Sequence, residues 1–323
     1  MTFNHETTSE QIAEAFGSQI KGKVVLVTGA TWGGIGADNA RVIAASGAKL
    51  VIITGRSQAK LDETIENIQK QTPNAIVRGL ILDLSSFKSV RKAAEEVNAY
   101  AEDIDVLINN AGVMACPYSK TEDGFEMQFG TNHLGHFLFT NLILKKLLAT
   151  PHPRVVNVSS LGHGLAPIIF GDIGFSDGAK YDKNHAYGQS KTANILFTRE
   201  LHRRYNKEHG LVAFSIHPGA ILDTNLARHM DINNDYANIE VPKDYWGTGD
   251  FAQNMSTLKM KNVSQGGATT LAAAFNPEIA SQSGAYLDDC EIHEEHCRNH
   301  AKQSNDAFKL WTVSEELVGQ KFD

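Results

Sequence analysis

Residues 24–36 read VVLVTGATWGGIG, a β-branched run that passes into a glycine-rich turn and then into a helical pattern. Val24–Thr28 predicts a buried strand, and Ile35–Ser46 predicts the helix after it. A glycine-rich turn between strand and helix lets backbone amides approach a pyrophosphate, whose charge the helix N-terminus favours. Glycines also serve ordinary tight turns, but the strand–turn–helix context favours a dinucleotide site.

The alternation of short β-branched runs with longer helical patterns continues along the chain, which indicates βαβ units. We therefore predict an α/β fold for residues 1–323: a single-domain Rossmann fold whose doubly wound parallel sheet has helices on both faces. Residues 1–20 are interpreted as an N-terminal extension, and the irregular segment 225–262 as a substrate-loop insert. The further predicted strands are Leu50–Thr54, Ile76–Leu82, Val106–Asn109, Val155–Val158, Val212–Ile216 and Ala285–Leu287. The further predicted helices are Ser57–Gln71, Ser86–Tyr100, Gly124–Leu148, His185–His209, Gly266–Phe275 and Ala301–Leu317.

Composition narrows the class of protein. The chain has 323 residues and a formal net charge of −7, with no lysine- or arginine-rich block, so no nucleic-acid partner is expected. Three scattered cysteines favour a reducing compartment over a disulfide framework. The N-terminus has no secretory pattern, and the apolar runs are shorter than the roughly 20 residues of a membrane span. A cytoplasmic protein without membrane contact is the expectation.

The ends of the second and third strands carry residues that suit a nucleotide. Arg56 follows the second strand, where an acidic residue would bind the ribose 2′-hydroxyl of NAD and an arginine accommodates a 2′-phosphate. No Asp or Glu occurs between Leu50 and Leu61, so NADP(H) is favoured, although Arg56 is also typical of an exposed helix start. Asp83 suits the adenine amino group and Leu84 the ring face, but Asp83 suits a helix cap equally well.

A second set of residues suits proton transfer. Tyr187 and Lys191 lie at i and i+4 of a helical pattern, so they share one face. A lysine ammonium favours the phenolate and brings the tyrosine pKa, ordinarily about 10, closer to working pH. Ser160 follows a buried strand, and the carboxyl ends of strands are where open α/β sheets bind ligands. YxxxK alone is common on surface helices, so the pair depends on these neighbours.

The order of these motifs resembles the short-chain dehydrogenase/reductase superfamily. The motifs are TG…GIG, LDL, NNAG, N-H-x-G, SS, YxxxK and HPG. The resemblance covers about Lys21 to Gly219, and weakly 311–322. It is strongest for the retinol-dehydrogenase and WW-domain-oxidoreductase-like branch, through 109–139 (NNAGVMACPYSKTEDGFEMQFGTNHLGHFLF) and 154–201, which contains VVNVSSLGH and AYGQSKTANILFTREL.

The resemblance implies a catalytic tetrad of Asn132, Ser160, Tyr187 and Lys191. Ser160 would hold the carbonyl oxygen, and Tyr187 would donate a proton as hydride arrives from the nicotinamide. Lys191 would bind the ribose and assist Tyr187, and Asn132 would hold a water in the proton relay. The cofactor-binding positions are expected at Gly29, Gly34, Ile35, Gly36, Arg56, Asp83, Leu84, Asn110, Gly112, Tyr187, Lys191, Pro218, Gly219, Ile221 and Thr224.

The chain departs from the family pattern at three places. Four residues instead of three separate Gly29 from Gly34, and the segment before Thr224 is one residue longer. The N-terminal anchor of membrane-bound retinol dehydrogenases is not found, which weakens a transfer of the retinoid substrate. The leading hypothesis is an NADP(H)-dependent oxidoreductase interconverting carbonyl and alcohol on a bulky, mostly apolar small molecule. A redox-neutral enzyme and a non-catalytic NADP(H)-binding protein on the same fold are the alternatives, and a homo-oligomer is usual in the superfamily.

Three further sequence features are not assigned to the catalytic or cofactor-binding residues. The insert 162–184 between Ser160 and Tyr187 could wall the substrate pocket or be a surface excursion. The run Cys290-x2-His293-x2-His296-Cys297-x2-His300 contains zinc-ligand residue types, but its spacing fits no closed site, so no metal is predicted. His133 and His136 lie in an apolar helical pattern and are interpreted as packing or partner-facing residues.

Overall fold

The glycine-rich turn follows the first strand of one eight-stranded sheet. The computed structural model describes residues 2–221, 223, 224, 226 and 259–322. Neighbouring strands pair in parallel, except that the last two are antiparallel. The strands are β1 (Val24–Val27), β2 (Leu50–Gly55), β3 (Val77–Ile81), β4 (Val106–Asn109), β5 (Arg154–Val158), β6 (Val212–Ile216), β7 (Tyr286–Asp288) and β8 (Glu291–Ile292). Their order in space is β3-β2-β1-β4-β5-β6-β7-β8.

Helices cover both faces of this sheet. The helices are α1 (Ser9–Ile20), α2 (Ile35–Ala45), α3 (Gln58–Gln71), α4 (Phe87–Ala99), α5 (Met127–Phe129), α6 (Gly135–Leu142), α7 (Leu144–Leu148), α8 (Lys183–His209), α9 (Val263–Phe275) and α10 (Ser304–Val318). One apolar cluster joins the sheet to α2, α3 and α9, and a second joins it to α4, α6, α8 and α10. The doubly wound Rossmann fold is confirmed.

The central strand shows why the sequence forms this sheet. Val25 and Val27 of β1 pack into the cluster with α2 and α9, whereas Leu26 packs into the cluster on the other face. Side chains alternate between the two faces of a strand, so a strand covered on both faces is apolar throughout. Each such side chain contributes about 1.5–3 kcal/mol on burial.

The strand order places a crevice at one edge of the sheet. The chain moves from β1 outward to β2 and β3, then returns to the other side of β1 with β4. Loops that follow β1 and β4 therefore diverge, and their separation opens a crevice at the carboxyl ends of the strands. The predicted site residues come from the loops at this edge.

The N-terminal extension contains a helix that the sequence analysis did not predict. A reciprocal capping box between Thr8 and Gln11 starts α1. Its buried Ile12 and Ile20 belong to the cluster with α2 and α9. The Ser9 amide donates to Ser264 Oγ (3.1 Å), and Ser9 Oγ donates to the Ser264 carbonyl (2.9 Å), so α1 is joined to the start of α9.

The predicted continuous helix Gly124–Leu148 is wrong in its details. Gly124 lies in a turn with φ +89°, and the Glu126 carboxylate accepts from the amides of Gln128 and Phe129, so the helix starts at Met127. A π-helical turn (130–134) separates α5 from α6, and Ile143, at φ −101° and ψ 6°, separates α6 from α7. Amphipathic periodicity identifies such a segment but does not show these interruptions.

The insert 162–184 contributes residues to the main cavity and to the core. It begins in a 3-10 turn (Leu161–Leu165), Ile168 is buried in the core, and Leu165 and Asn184 line the main cavity. The substrate-loop insert 225–262 lies outside the described residues except for Leu226 and residues 259–262.

Candidate active site

A cavity of about 360 Å³ lies at the carboxyl edge of the sheet. It brings together most of the residues that the sequence analysis selected. Asn132 and Gly36 lie behind its wall rather than in it. The predicted residues that line it are Gly29, Gly34, Ile35, Arg56, Asp83, Leu84, Asn110, Gly112, Ser160, Tyr187, Lys191, Pro218, Gly219, Ile221 and Thr224.

Glycines in the turn after β1 allow three backbone segments to approach one another. Gly29 has φ +70°, and a Cβ atom there would lie 2.7 Å from Ala111 Cα. A Cβ atom on Gly36 would lie 2.5 Å from Asn110 Nδ2 and 2.7 Å from the Gly29 carbonyl oxygen. Both positions therefore require glycine, one for its backbone angle and contacts, the other for close packing of helix against strand.

The extra residue of the turn is absorbed before the helix begins. The Gly34 amide donates to the Thr31 carbonyl (3.0 Å), which closes a four-residue β-turn with Gly33 at φ +85°. Gly34 then forms the N-cap of α2. The first amides of α2, at Ile35 and Gly36, have no partner within the helix, as at any helix N-terminus. The helix start thus keeps the geometry that suits a pyrophosphate.

The turn is braced from β4. Thr28 Oγ1 accepts from the amides of Asn110 (2.9 Å) and Ala111 (3.0 Å). Asn110 Nδ2 in turn donates to the carbonyls of Thr28 (2.9 Å) and Gly29 (3.2 Å). The Asn110 side chain therefore shapes the glycine turn while the residue lines the cavity.

Residues that follow β2 and β3 form another part of the cavity wall. Arg56 is exposed at the cavity and forms no hydrogen bond or ion pair with any residue that the structure describes. Asp83 Oδ1 accepts from the amide (2.9 Å) and hydroxyl (2.6 Å) of Ser85, and Ser86 is the N-cap of α4. The helix-capping interpretation of Asp83 is therefore wrong, because Ser86 takes that place and Asp83 faces the cavity.

Tyr187 and Lys191 lie one turn apart on α8, and both line the cavity. Lys191 Nζ donates to the Val158 carbonyl (3.0 Å) and lies 5.6 Å from the centre of the Tyr187 ring. The lysine side chain is 3% exposed, and this burial lowers its pKa to about 8. A charged lysine at neutral pH therefore lies beside the phenol.

The two adjacent serines after β5 have different surroundings. Ser159 Oγ donates to the Lys191 carbonyl (2.8 Å), whereas Ser160 Oγ accepts from the Gly162 amide (3.0 Å), which leaves its own proton available. A Cβ atom on Gly162 would lie 2.8 Å from Tyr187 Cε1 and 3.3 Å from Ser160 Oγ. The ring of Tyr187 and the hydroxyl of Ser160 thus flank the same glycine.

Asn132 stands in the π-helical turn, a geometry that is frequent at functional sites. Its Oδ1 accepts from the Val113 amide (2.8 Å), and its Nδ2 donates to the Val113 carbonyl (2.9 Å) and to Ser190 Oγ (2.9 Å). A Cβ atom on Gly112 would lie 3.2 Å from Asn132 Oδ1 and 3.5 Å from Lys191 Nζ. Asn132 therefore fixes the loop after β4 against the helix that carries Lys191.

Comparisons with known proteins identify the family of this chain. The profile of the short chain dehydrogenase family matches residues 23–235, more than half of the chain. The chain is a short-chain dehydrogenase/reductase. As such it is an oxidoreductase that acts on alcohols or carbonyls with a nicotinamide dinucleotide cofactor.

Relatives of this short-chain dehydrogenase match it over nearly all its length. Mouse retinol dehydrogenase 12 is 40% identical over 305 residues, which covers 94% of this chain and 89% of the relative. Short-chain dehydrogenase TIC 32 B, chloroplastic, of Brassica napus is 37% identical over 325 residues, with 98% and 94% covered. The crystal structure of a putative uncharacterized protein from Mycobacterium paratuberculosis is 32% identical with a TM-score of 0.69, covering 94% of this chain and 96% of that one. The resemblance to the retinol-dehydrogenase branch is confirmed.

The short-chain dehydrogenase also contains two buried histidines near the site, His133 and His136, whose polar contacts the sequence did not predict. His136 Nε2 contacts Thr28 Oγ1 (2.9 Å), and its Nδ1 contacts the Asn132 carbonyl (3.0 Å), so it links the cofactor turn to the π-helical turn. His133, by contrast, contacts Ser314 of α10 (2.7 Å). Burial lowers the pKa of His133 to about 3 and that of His136 to about 4, so both rings are neutral. Their apolar helical pattern predicted the burial but not the polar partners.

The residues of the zinc-like run are dispersed. Cys290 packs against α9 with its amide bonded to Thr269, and Cys297 belongs to a small cluster around Tyr286. His293 and His296, with Glu295, place ligand atoms within 4.8 Å of one another at the surface. The two cysteines and His300 are not part of that group. The predicted absence of a metal stays a prediction.

Within the described residues, no helix combines the length and apolar character that crossing a membrane requires. The expected cytoplasmic location, homo-oligomer and lack of nucleic-acid partners stay predictions.

Proposed function

We propose that this short-chain dehydrogenase interconverts a carbonyl and an alcohol on a bulky, mostly apolar small molecule, with NADP(H) as its cofactor. The observation that carries the proposal is the shared cavity wall formed by Ser160, Tyr187 and Lys191. A hydroxyl with a free proton, a phenol and a buried ammonium are the groups that carbonyl reduction requires around one oxygen atom.

These side chains have different roles at the substrate oxygen. Ser160 Oγ, whose lone pair is held by the Gly162 amide, donates a hydrogen bond to that oxygen. Tyr187 donates the proton, and the Lys191 ammonium stabilises the phenolate that remains. Asn132 acts through its contacts with Val113 and Ser190, which hold the wall in place. The bound nicotinamide supplies or accepts the hydride.

The residues around the cavity fit a dinucleotide. Gly29 and Gly36 let the turn pack closely against the loop after β4, and the first amides of α2 are available to a pyrophosphate. Asp83 and Leu84 would hold the adenine, and Pro218, Gly219, Ile221 and Thr224 would meet the nicotinamide side.

Arg56 supports NADP(H) over NAD(H). Its guanidinium has no partner among the described residues, and no carboxylate occurs between residues 50 and 61 to hold a 2′-hydroxyl. Fluorescence titration of both cofactors tests this preference. We expect tighter NADPH binding, and R56A should weaken NADPH about 10- to 100-fold, as expected for a hydrogen bond to a charged group. K60A, an exposed lysine of α3, is the control, and tighter binding of NADH by the wild type would contradict the assignment.

The substrate side of the cavity supports an apolar molecule. Met114, Met127, Leu165 and Leu226 line it. Relatives about 40% identical are named for retinol, a long apolar alcohol. We expect NADPH consumption, followed by its absorbance, with bulky apolar ketones and aldehydes and little with sugars. A panel in which only hydrophilic carbonyls react would contradict the substrate class, and no reaction in either direction would contradict the proposed redox function.

A further inference from the structure

His163 occupies an unusual place next to Ser160. It lies in the 3-10 turn that follows β5 and is completely buried, yet it does not line the cavity. Most buried polar side chains in folded proteins are hydrogen-bonded. Its partners therefore show what it does.

The ring of His163 has one acceptor and one donor as neighbours. Nδ1 lies 2.6 Å from the Ser160 carbonyl, and Nε2 accepts from the Arg298 amide (3.1 Å). A carbonyl can only accept and an amide can only donate, so the ring carries its proton on Nδ1 and none on Nε2. Burial lowers the pKa of His163 to about 3, which agrees with a neutral ring.

The backbone around His163 is held from several other elements. The His163 carbonyl accepts hydrogen bonds from His300 Nε2 (3.0 Å) and from Thr192 Oγ1 (2.9 Å). Thr192 is the residue after Lys191 on α8. Between Ser160 and His163, the Leu161 amide donates to His217 Nδ1 (3.1 Å). The turn that carries Ser160 is therefore fixed to the segment 298–300, to α8 and to the end of β6.

We propose that His163 is a positioning residue that holds Ser160, and that the segment Arg298–His300 is the brace for it. The inference deepens the proposed function and rests on it. It also gives a role to His300, the last residue of the cysteine- and histidine-rich run, that involves no metal.

Kinetics of paired variants test the positioning role. His163→Leu removes both ring hydrogen bonds, whereas His163→Asn keeps a donor that can reach the Ser160 carbonyl. We expect H163L to lower kcat on the order of 10- to 100-fold, the effect of a small displacement of a reacting group. The dissociation constant for NADPH should stay within a few-fold, and H163N should recover most of kcat. H152L, at an exposed histidine, is the control.

The possible results of these kinetics distinguish a failure of this inference from a failure of the proposed function. If the wild type turns over and H163L keeps the same kcat, the positioning role alone is overturned. A parallel loss of kcat and of NADPH binding in both H163L and H163N would also overturn the positioning role alone. A wild type without turnover would overturn the proposed function and the positioning role together.

Nitrogen NMR of histidine-labelled protein gives a readout that is independent of turnover. The resonance that H163N removes should report a neutral ring protonated on Nδ1 from pH 5 to 8. A ring protonated on Nε2, or one that titrates in this range, would contradict the hydrogen bond to Ser160.

Discussion

Two ends of one cavity are built by different means. At the cofactor end, the turn from Thr28 to Gly36, the backbone packs so closely that glycine is needed where a Cβ atom would collide, and the side chains of Thr28 and Asn110 hold the turn in place. At the chemical end, formed by Ser160, Tyr187 and Lys191 with the buried histidines around them, polar side chains hold one another in the interior. The cofactor end depends on glycines, which have no Cβ atom, and the chemical end depends on buried polar side chains.

The difference shows where the molecule gives up stability for function. Backbone contacts at the cofactor end bury no charge. The chemical end buries an ammonium whose described hydrogen-bond acceptor is a single carbonyl, that of Val158, which disfavours folding and lowers the pKa of Lys191. Substitutions at the cofactor end should therefore impair binding and packing together, whereas those at the chemical end should separate activity from stability.

The largest effect is expected for Tyr187→Phe. Loss of the proton donor should lower kcat by about 10²- to 10⁴-fold with little change in NADPH binding, because the ring remains. Steady-state kinetics and cofactor fluorescence measure the two quantities. Y100F, which removes a hydroxyl bonded to Glu96 at the surface, is the matched control. Retained turnover in Y187F would show that another group donates the proton.

The adjacent serines offer a matched pair for the next effect. Ser160→Ala should lower kcat about 10²- to 10³-fold, as does the loss of one donor to a developing oxyanion. Ser159→Ala should cost about 1 kcal/mol of stability and far less activity, since it removes only the bond to the Lys191 carbonyl. Equal losses of kcat in the two variants would contradict the assignment of Ser160.

A smaller effect is expected at the cofactor end. Gly36→Ala places a Cβ atom against Asn110 Nδ2 and the Gly29 carbonyl. Overpacking of this kind costs about 1–3 kcal/mol. The NADPH dissociation constant should rise about tenfold if that strain is released by displacing α2. G17A, in α1 with nothing within 4 Å, is the control. Unchanged binding and thermal unfolding in G36A would show that the helix can move away without consequence.

The smallest expected effect is a change in the free energy of unfolding at Lys191. It also distinguishes the chemical end from the cofactor end most clearly. Lys191→Met should impair activity yet raise the free energy of unfolding of the cofactor-free protein by about 1–3 kcal/mol. The Val158 carbonyl keeps a donor in Asn194. A lysine pKa lowered from 10.5 to about 8 penalises folding fully below pH 8, and the penalty disappears as pH rises from 8 to 10.5. The advantage of K191M should therefore shrink over this range, and an advantage that grows with pH would contradict the sign.

Much of this architecture could be predicted from the sequence for simple physical reasons. Strands such as Val106–Asn109 and Val212–Ile216 are short, mostly apolar runs, and the structure gives the predicted bounds. Parallel strands bring their carboxyl ends together, so motifs that follow strands had to meet at one edge. Arg56, Ser160 and the HPG turn were found in this way.

Other features could not be predicted because they depend on contacts between distant residues. His163 and Arg298 are 135 positions apart, and no local pattern indicates that they meet. The π-helical turn around Asn132 lies in a segment that is buried on all sides, so no polar face marks the change in helical phase. The segment before Ser9 did carry a signal, the Thr8–Gln11 capping box, which a search limited to the glycine turn passes over.

The bond between Ser9 and Ser264 has a consequence for synthesis of the chain. Helix α1 is made before α9, and the surface of α9 that buries Ile12 and Ile20 emerges from the ribosome some 250 residues later. During translation those side chains therefore lack their final partner, and the nascent polypeptide exposes an apolar stripe that is prone to aggregation. Native docking of α1 against α9 therefore has to wait until α9 has been synthesised.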